Sequence, residues 1–291
     1  INNLEHLITA VGFDFLINDH TVREHLRDTT PRTFINPYVA SVNTDFCQNV
    51  EAVTAHVRAR RSTQPVFTFL APMNVHILNT LAGKGPDYPG FHSPSAAQLE
   101  RVDTCFGNFI AFLKDAGIYD ESIIVLTSDH GDSLGEGGRW GHQSYLFPEV
   151  VRIPLIIGVP GRLKATITTD LSRAAFLTDV TPTLTSLIAG TGRDGDPPEG
   201  GVLFHPAGSD LRSRKRRAFM LMSSYGPAFG VLRRDGREMY LTDLRDWQEH
   251  TFRLGPVWYE EVPVTDALRQ VSQAALLREV AATKRLYGQQ P

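Results

Sequence analysis

A carboxylate and an imidazole on adjacent residues, Asp129 and His130, are a donor pair that a hard or borderline divalent cation accepts. They come directly after Ser128, which ends a short β-branched run at residues 123–126. Five glycines follow, Gly131, Gly135, Gly137, Gly138 and Gly141, and let the backbone crowd a bound anion. A second imidazole, His142, closes the stretch. Such a segment could hold a cation and use His142 to contact an ester oxygen, protonate a leaving group or bind a second metal. Two ligands do not fill a coordination sphere, so further donors must come from elsewhere.

Adjacent strand residues point to opposite faces, so Asp129 and His130 share one ion only where the chain bends; Gly131 makes a bend cheap. The same dipeptide also suits a surface turn in which Asp129 caps a helix and His130 is solvated. The strand before it and the glycine loop after it favour metal binding, because ligands of open α/β sheets sit beyond the carboxyl ends of strands. His76 ends a loop after a second strand, residues 66–70, a setting where a histidine is more often structural. Arg152 and Glu149 flank a third strand near 154–159. There a salt bridge or strand-edge role competes with contact to a substrate anion.

The elements that must position these groups are legible as patterns. Phe46, Val50, Val53 and Val57 recur at helical spacing, as do Leu99, Val102, Phe106, Phe109 and Leu113, with Gly117 as a stop. Another helix is expected over residues 178–187, with Thr178 or Asp179 near its cap and Pro182 in its first turn. Helices alternating with apolar strands predict an α/β domain over residues 1–190, a largely parallel sheet with helices on both faces. After Gly190 the texture changes. Residues 191–216 are loop-like, and strands are expected at 218–223, 229–233, 238–241 and 250–254, with Asp235-Gly236 as a hairpin turn. A helix over 265–287 completes a C-terminal α+β subdomain, residues 191–291: a small antiparallel sheet plus helix packed on the first.

The 291 residues are 42% hydrophobic and 21% charged, an ordinary globular composition, and no stretch has the apolar length of a membrane span. A net charge of −3 supplies no field that would draw nucleic acid. The basic run at residues 212–217 reads as a solvated loop, with anion or membrane-surface contact as the minority view. Cys47 and Cys105 lie in helical patterns and are expected to be two inert, buried thiols.

Thr127-Ser128-Asp129-His130-Gly131-Asp132-Ser133-Leu134-Gly135-Glu136, followed by His142 and Arg152-Ile153-Pro154-Leu155-Ile156-Ile157, resembles the sulfatase group of the alkaline phosphatase superfamily. Phe69-Leu70-Ala71-Pro72-Met73-Asn74-Val75-His76, Asp179-Val180-Thr181-Pro182-Thr183-Leu184 and Tyr240-Leu241-Thr242-Asp243-Leu244 are similar to further segments of that group. The likeness runs over roughly residues 60–255. It implies a metal-dependent hydrolase of sulfate or phosphate esters that works through a covalent intermediate outside the cytoplasm, periplasmic or membrane-associated. Asp129 and His130 would be ligands of a divalent cation (Ca, Mn or Zn), and His76 and His142 would be catalytic, touching the anionic ester or its leaving oxygen. His142 stands where many arylsulfatases have lysine and where lipid-directed phosphoethanolamine transferases have histidine. A phosphoethanolamine or phosphoglycerol transferase acting on lipid or glycan, and a non-catalytic binding remnant, are therefore the alternatives.

The group's nucleophile motif, Cys/Ser-x-Pro-x-Arg, does not occur in residues 1–291. The resemblance therefore implies a partner segment of the same protein, N-terminal to this one, that carries the nucleophile and acidic ligands, with membrane association possible through it. The expectation is that residues 1–291 alone bind metal weakly and turn over little.

Overall fold

The computed structural model describes residues 14–17, 33–34, 45–60, 64–76, 93–142, 146–190, 200–211, 218–223, 226–233, 236–244, 247–286 and 288. The short helix expected before a Gly12 stop, the basic run at 212–217, Asp235 and residues 83–92 of a Gly/Pro-rich loop expected over 83–95 lie outside these residues, while residues 93–95 of that loop open a helix. The chain divides into two compact units, one of residues 1–123, 158–162 and 187–189, the other of residues 124–157, 163–186 and 190–291.

In the first unit, β1 (Asp14–Ile17), β2 (Thr33–Phe34) and β3 (Val66–Phe69) form a parallel sheet in the order β2-β1-β3. Helix α1 (Phe46–Ala59) starts where the Asp45 carboxylate accepts the Gln48 N–H at 3.1 Å. That carboxylate also takes two bonds from Arg101, at 3.0 and 3.1 Å, and one from the Asn74 side-chain amide at 2.9 Å. The Arg101 guanidinium above all, against the opposing effect of burial, holds the Asp45 acid down at about 2. Helix α2 (Ser93–Asp115) ends as expected at Gly117, which adopts φ 69°. The Ile118 N–H donates to the Leu113 carbonyl and the Gly117 N–H to the Lys114 carbonyl, both at 3.0 Å, so the last turn's orphan acceptors are satisfied.

Cys47 and Cys105 are not inert thiols. They form a disulfide between α1 and α2, with their Cα atoms 5.3 Å apart. The periodicity of each helix shows an apolar stripe but not which stripe it meets. Here the two meet, with Phe46 and Phe106 6.4 Å apart beside the cysteines.

The remaining elements begin with β4 (Ile124–Thr127), one residue later than expected, and the hairpin strands β5 (Ser133–Leu134) and β6 (Trp140–Gly141). After them come α3 (Pro148–Val151), β7 (Leu155–Gly158), α4 (Gly161–Lys164) and β8 (Ile167–Thr168). Next are α5 (Val180–Ala189) and β9 (His205–Pro206). β4 pairs with β7, and β8 pairs antiparallel with β9. The described residues form the three-stranded parallel sheet β2-β1-β3 and a separate β4-β7 pair, and do not show the single largely parallel sheet with helices on both faces that the sequence predicts. Asp179 sits at the N-cap of α5, buried, and accepts the Phe176 N–H at 2.9 Å and the Gly201 N–H at 2.7 Å.

The C-terminal antiparallel sheet has five strands: β10 (Phe219–Met222), β11 (Ala228–Arg233), β12 (Glu238–Asp243), β13 (Gln248–Leu254) and β14 (Tyr259–Val262). Period-two alternation gives it two apolar faces. Leu232, Met239, Leu241, Phe252 and Leu254 line one, packed against Phe147 and Val151 around α3. Val231 and Tyr240 line the other, against Ala275 of helix α6 (Asp266–Leu286). β14 was not expected, because Tyr259-Glu260-Glu261-Val262 carries no apolar alternation. No described helix is long and apolar enough to cross a membrane.

Candidate active site

The chain leaves β4 with the Thr127 hydroxyl donating to the Pro154 carbonyl at 2.9 Å and the Ser128 hydroxyl donating to the His130 carbonyl. The Gly131 N–H then donates to the Val150 carbonyl at 2.7 Å. An added Cβ at Gly131 would stand 2.1 Å from the Glu149 carbonyl oxygen, so only glycine lets these two backbones meet. The expected reason for Gly131, a cheap bend, is thus replaced by close approach. The left-handed turns fall later, at Gly135, Gly137, Gly138 and Gly141, with φ of 118°, 54°, 77° and 78°.

These turns fold residues 132–142 into a hairpin. Ser133 pairs with Gly141 and Leu134 with Trp140, which sets Asp132 and His142 opposite each other at its open end. His142 Nδ1 lies 2.7 Å from Asp132 Oδ1, with the two side chains only 14% and 11% exposed. Beneath the hairpin, the Glu149 carboxylate accepts the Ser133 hydroxyl at 2.9 Å and Arg139 Nη2 and Nε at 2.8 and 3.2 Å. The Arg139 guanidinium lies over the Phe147 ring, 3.7 Å from its centre. Burial pushes the nearby Tyr259 hydroxyl up to about 12, reinforced by the Glu149 charge.

His130 Nδ1 is 3.0 Å from the Gly131 carbonyl, and its Nε2 is 3.6 Å from Asp129 Oδ2. The Asp129 side chain is largely exposed, and its Oδ1 accepts the His130 N–H at 3.0 Å. The His130 and His142 rings are 3.8 Å apart and tilted by 31°. Donor atoms of His130, Asp132 and His142 all lie within 4.8 Å of one another, so these side chains fit a divalent cation. A backbone carbonyl on one imidazole nitrogen, leaving the other as donor, is the usual arrangement of a metal-binding histidine.

Of the residues singled out in the sequence, His130 and His142 are thus brought together; the exposed Asp129 carboxylate touches His130, but the acid clustered with the two imidazoles is Asp132. His76 belongs to the other unit, on the turn after β3, where its N–H donates to the Met73 carbonyl at 3.2 Å. Arg152 and Glu149 take the structural roles: Arg152 donates to the carbonyls of Gly255, Pro256 and Trp258 at 2.5, 2.8 and 2.9 Å, and Glu149 pairs with Arg139. Burial lowers the pKa of the Arg152 guanidinium. Asp132 went unassigned in the sequence, although the glycines between it and His142 carry a hairpin signal that could have placed the two in register.

The described residues thus set a second histidine, folded back on a hairpin, against the Asp-His-Gly turn that follows β4. Residues 2–191 match the protein family described as Sulfatase. The chain belongs to the sulfatase family. It is 32% identical over 114 residues to a low-salt glycan biosynthesis sulfotransferase, Agl7, of Haloferax volcanii, a match covering 36% of this chain and 27% of that protein. It is 30% identical over 147 residues to the choline-sulfatase of Rhizobium meliloti, covering 50% of this chain and 27% of the relative. The chain thus spans about a quarter of the length of these curated relatives. The solved structure of a 2-O GAG sulfatase shares its fold, with a TM-score of 0.63 at 15% identity over 97% of this chain and 74% of that one.

Proposed function

We propose that this protein hydrolyses sulfate esters with the help of a divalent cation held by the Asp129 carboxylate and His130 Nε2. The observation that carries the reading is the His130 imidazole, beside the Asp129 carboxylate and 3.8 Å from the His142 ring, in a chain of the sulfatase family. The cation, when bound, neutralises charge on the ester oxygens. In this reading the doubly protonated His142 ring faces the ester oxygen, hands its Nε2 proton to the leaving group and is left as the neutral ring protonated on Nδ1. The role given to His76, contact with the anionic group, rests on the resemblance alone. The attacking group, which forms a covalent intermediate, lies outside residues 1–291 in this reading. An extracytoplasmic setting fits the Cys47–Cys105 bond, since disulfides persist in oxidising compartments.

The test is sulfate release from aryl sulfates, with aryl phosphates in parallel, by the longest natural form of the protein and by residues 1–291, each with added Mn²⁺, Ca²⁺ or Zn²⁺. The longest form should release sulfate in a chelator-sensitive way and lose it on Asp129→Asn or His130→Ala, while residues 1–291 turn over little. Sulfate release indifferent to chelation and to both substitutions would overturn the metal assignment. No sulfate release under any cation would overturn the reaction.

A further inference from the structure

We infer that Asp132 is a positioning residue for His142: it holds the imidazole in the tautomer with the proton on Nδ1, so that Nε2 is the nitrogen that meets the ester. The inference deepens the reading of His142 given above and rests on it for the word ester, but its structural core stands independently.

Three observations carry it. The first is register. With Ser133 opposite Gly141 and Leu134 opposite Trp140, the next pair outward is Asp132 and His142, and cross-strand partners direct their side chains to the same face. A slip of one residue would turn Asp132 away, so the hairpin itself specifies the contact. The second is distance and burial. A separation of 2.7 Å between Oδ1 and Nδ1, with both side chains largely shielded, is a charge-assisted hydrogen bond donated by the ring and accepted by the carboxylate. With Nδ1 engaged by Oδ1, that nitrogen serves to orient the ring and Nε2 is the atom turned outward to act.

The third is that the neighbouring ring is set in the same way by a different acceptor. His130 Nδ1 faces the Gly131 carbonyl at 3.0 Å, so both imidazoles, 3.8 Å apart, turn the same nitrogen toward the hairpin backbone and its carboxylate. Which nitrogen of a histidine carries the proton is decided by the bond the other makes. A carboxylate in that position fixes ring orientation as well as tautomer, as an acid behind a catalytic imidazole does. Ser133 and Arg139, both bonded to Glu149, hold the strand segments on which Asp132 and His142 sit.

The experiment reads the tautomer directly. Residues 1–291, nitrogen-15-labelled at histidine, are examined by long-range proton–nitrogen correlation at mildly alkaline pH, with His142 assigned by His142→Gln. His142 should show a protonated Nδ1 and a bare Nε2. Asp132→Ala and Asp132→Asn should move it toward the Nε2-protonated form, and Asp132→Glu should restore part of the original signal. A wild-type His142 protonated on Nε2 would overturn the inference, and so would a signal unmoved by Asp132→Asn. Displacement of the Nδ1 proton by added Zn²⁺ would also overturn it, because Asp132 and His142 would then be ligands. If the Asp132 variants do not fold, the wild-type spectrum alone still decides. In the longest active form, Asp132→Asn should lower kcat about 10–100-fold with KM nearly unchanged. Failure to release sulfate sinks the proposed reaction and leaves the tautomer result standing; the opposite pair of outcomes sinks only this inference.

Discussion

Two regions of the same unit are built on opposite principles. The C-terminal sheet of five antiparallel strands is held by apolar side chains on both faces, with Met239, Val231 and Phe252 almost fully buried. The glycine hairpin has strands of two residues each and is held by charge and backbone contact: Glu149 with Ser133 and Arg139, Asp132 with His142, and the Gly131 N–H with Val150. A two-stranded ribbon of that length does not stand alone in water. Its rigidity is borrowed. Phe147 and Val151, at either end of α3, pack on the sheet core, while Val150 and Glu149 between them receive the hairpin's bonds. Chemistry is thus placed where few side chains need to pack, and order is supplied by a neighbour with no chemistry of its own.

That division can be broken from either side. The largest effect is expected at Phe252, where the ring sits in the sheet core with Phe147 at 5.8 Å and Tyr259 at 5.9 Å, both edge-on. Phe252→Ala should cost about 3–5 kcal/mol in urea unfolding while leaving the His142 tautomer intact in the folded fraction. Loss of the tautomer signal at full folding would show that the hairpin depends on more than α3. Gly131→Ala acts on the other side. Its Cβ would meet a backbone carbonyl, which cannot rotate away, so a cost of about 2–3 kcal/mol is expected together with loss of the His142 signature. Gly138→Ala is the control: nothing lies within 4 Å of the added Cβ, and only its φ of 77° opposes the change, at about 1–2 kcal/mol. Equal costs at the two glycines would remove the close-approach argument. Glu149→Gln should follow at about 2 kcal/mol, because the Arg139 bonds lose their charged acceptor. A thermal scan would register it as a shift of roughly 4–8 °C.

The two regions also differed in how far they could be read beforehand. Strands β10–β13 followed from alternation and from Asp235-Gly236, and β10–β12 came out within two residues of the expected bounds, because a half-buried strand writes its faces into the sequence. β14 did not, since Glu260 and Glu261 interrupt any apolar alternation, although Tyr259 packs on the sheet core. At and before the hairpin, Asp129, His130 and His142 were singled out by residue type together with the strand before them and the glycine loop between them. Their geometry was not legible: Gly131 was expected to ease a bend and instead admits the Glu149 carbonyl, a long-range contact that no local pattern encodes. The partners of Cys47 and Glu149 were hidden for the same reason. Pairing across the fold is decided by tertiary packing, and each helix or strand reports only its own periodicity.

The smallest predicted effect sharpens the comparison by pH. Tyr240, on the α6 side of the sheet, and Tyr259, beside Glu149, are both held at about 12 against an ordinary value of 10.0. Burial is the main cause in each case. The second cause differs: the hydrogen bond to Glu249 for Tyr240, and the Glu149 charge for Tyr259. A hydroxyl whose folded pKa is raised stabilises the fold fully below the unfolded value of 10.0 and loses that contribution as pH rises through about 12. The urea midpoint should therefore fall across that alkaline window, and Tyr240→Phe and Tyr259→Phe should each flatten part of the fall. In a Glu149→Gln background the share removed by Tyr259→Phe should shrink, while the share removed by Tyr240→Phe should not change. Equal shrinkage of both shares would mean that the hairpin's charges reach through the sheet, and that the two regions are not electrostatically separate.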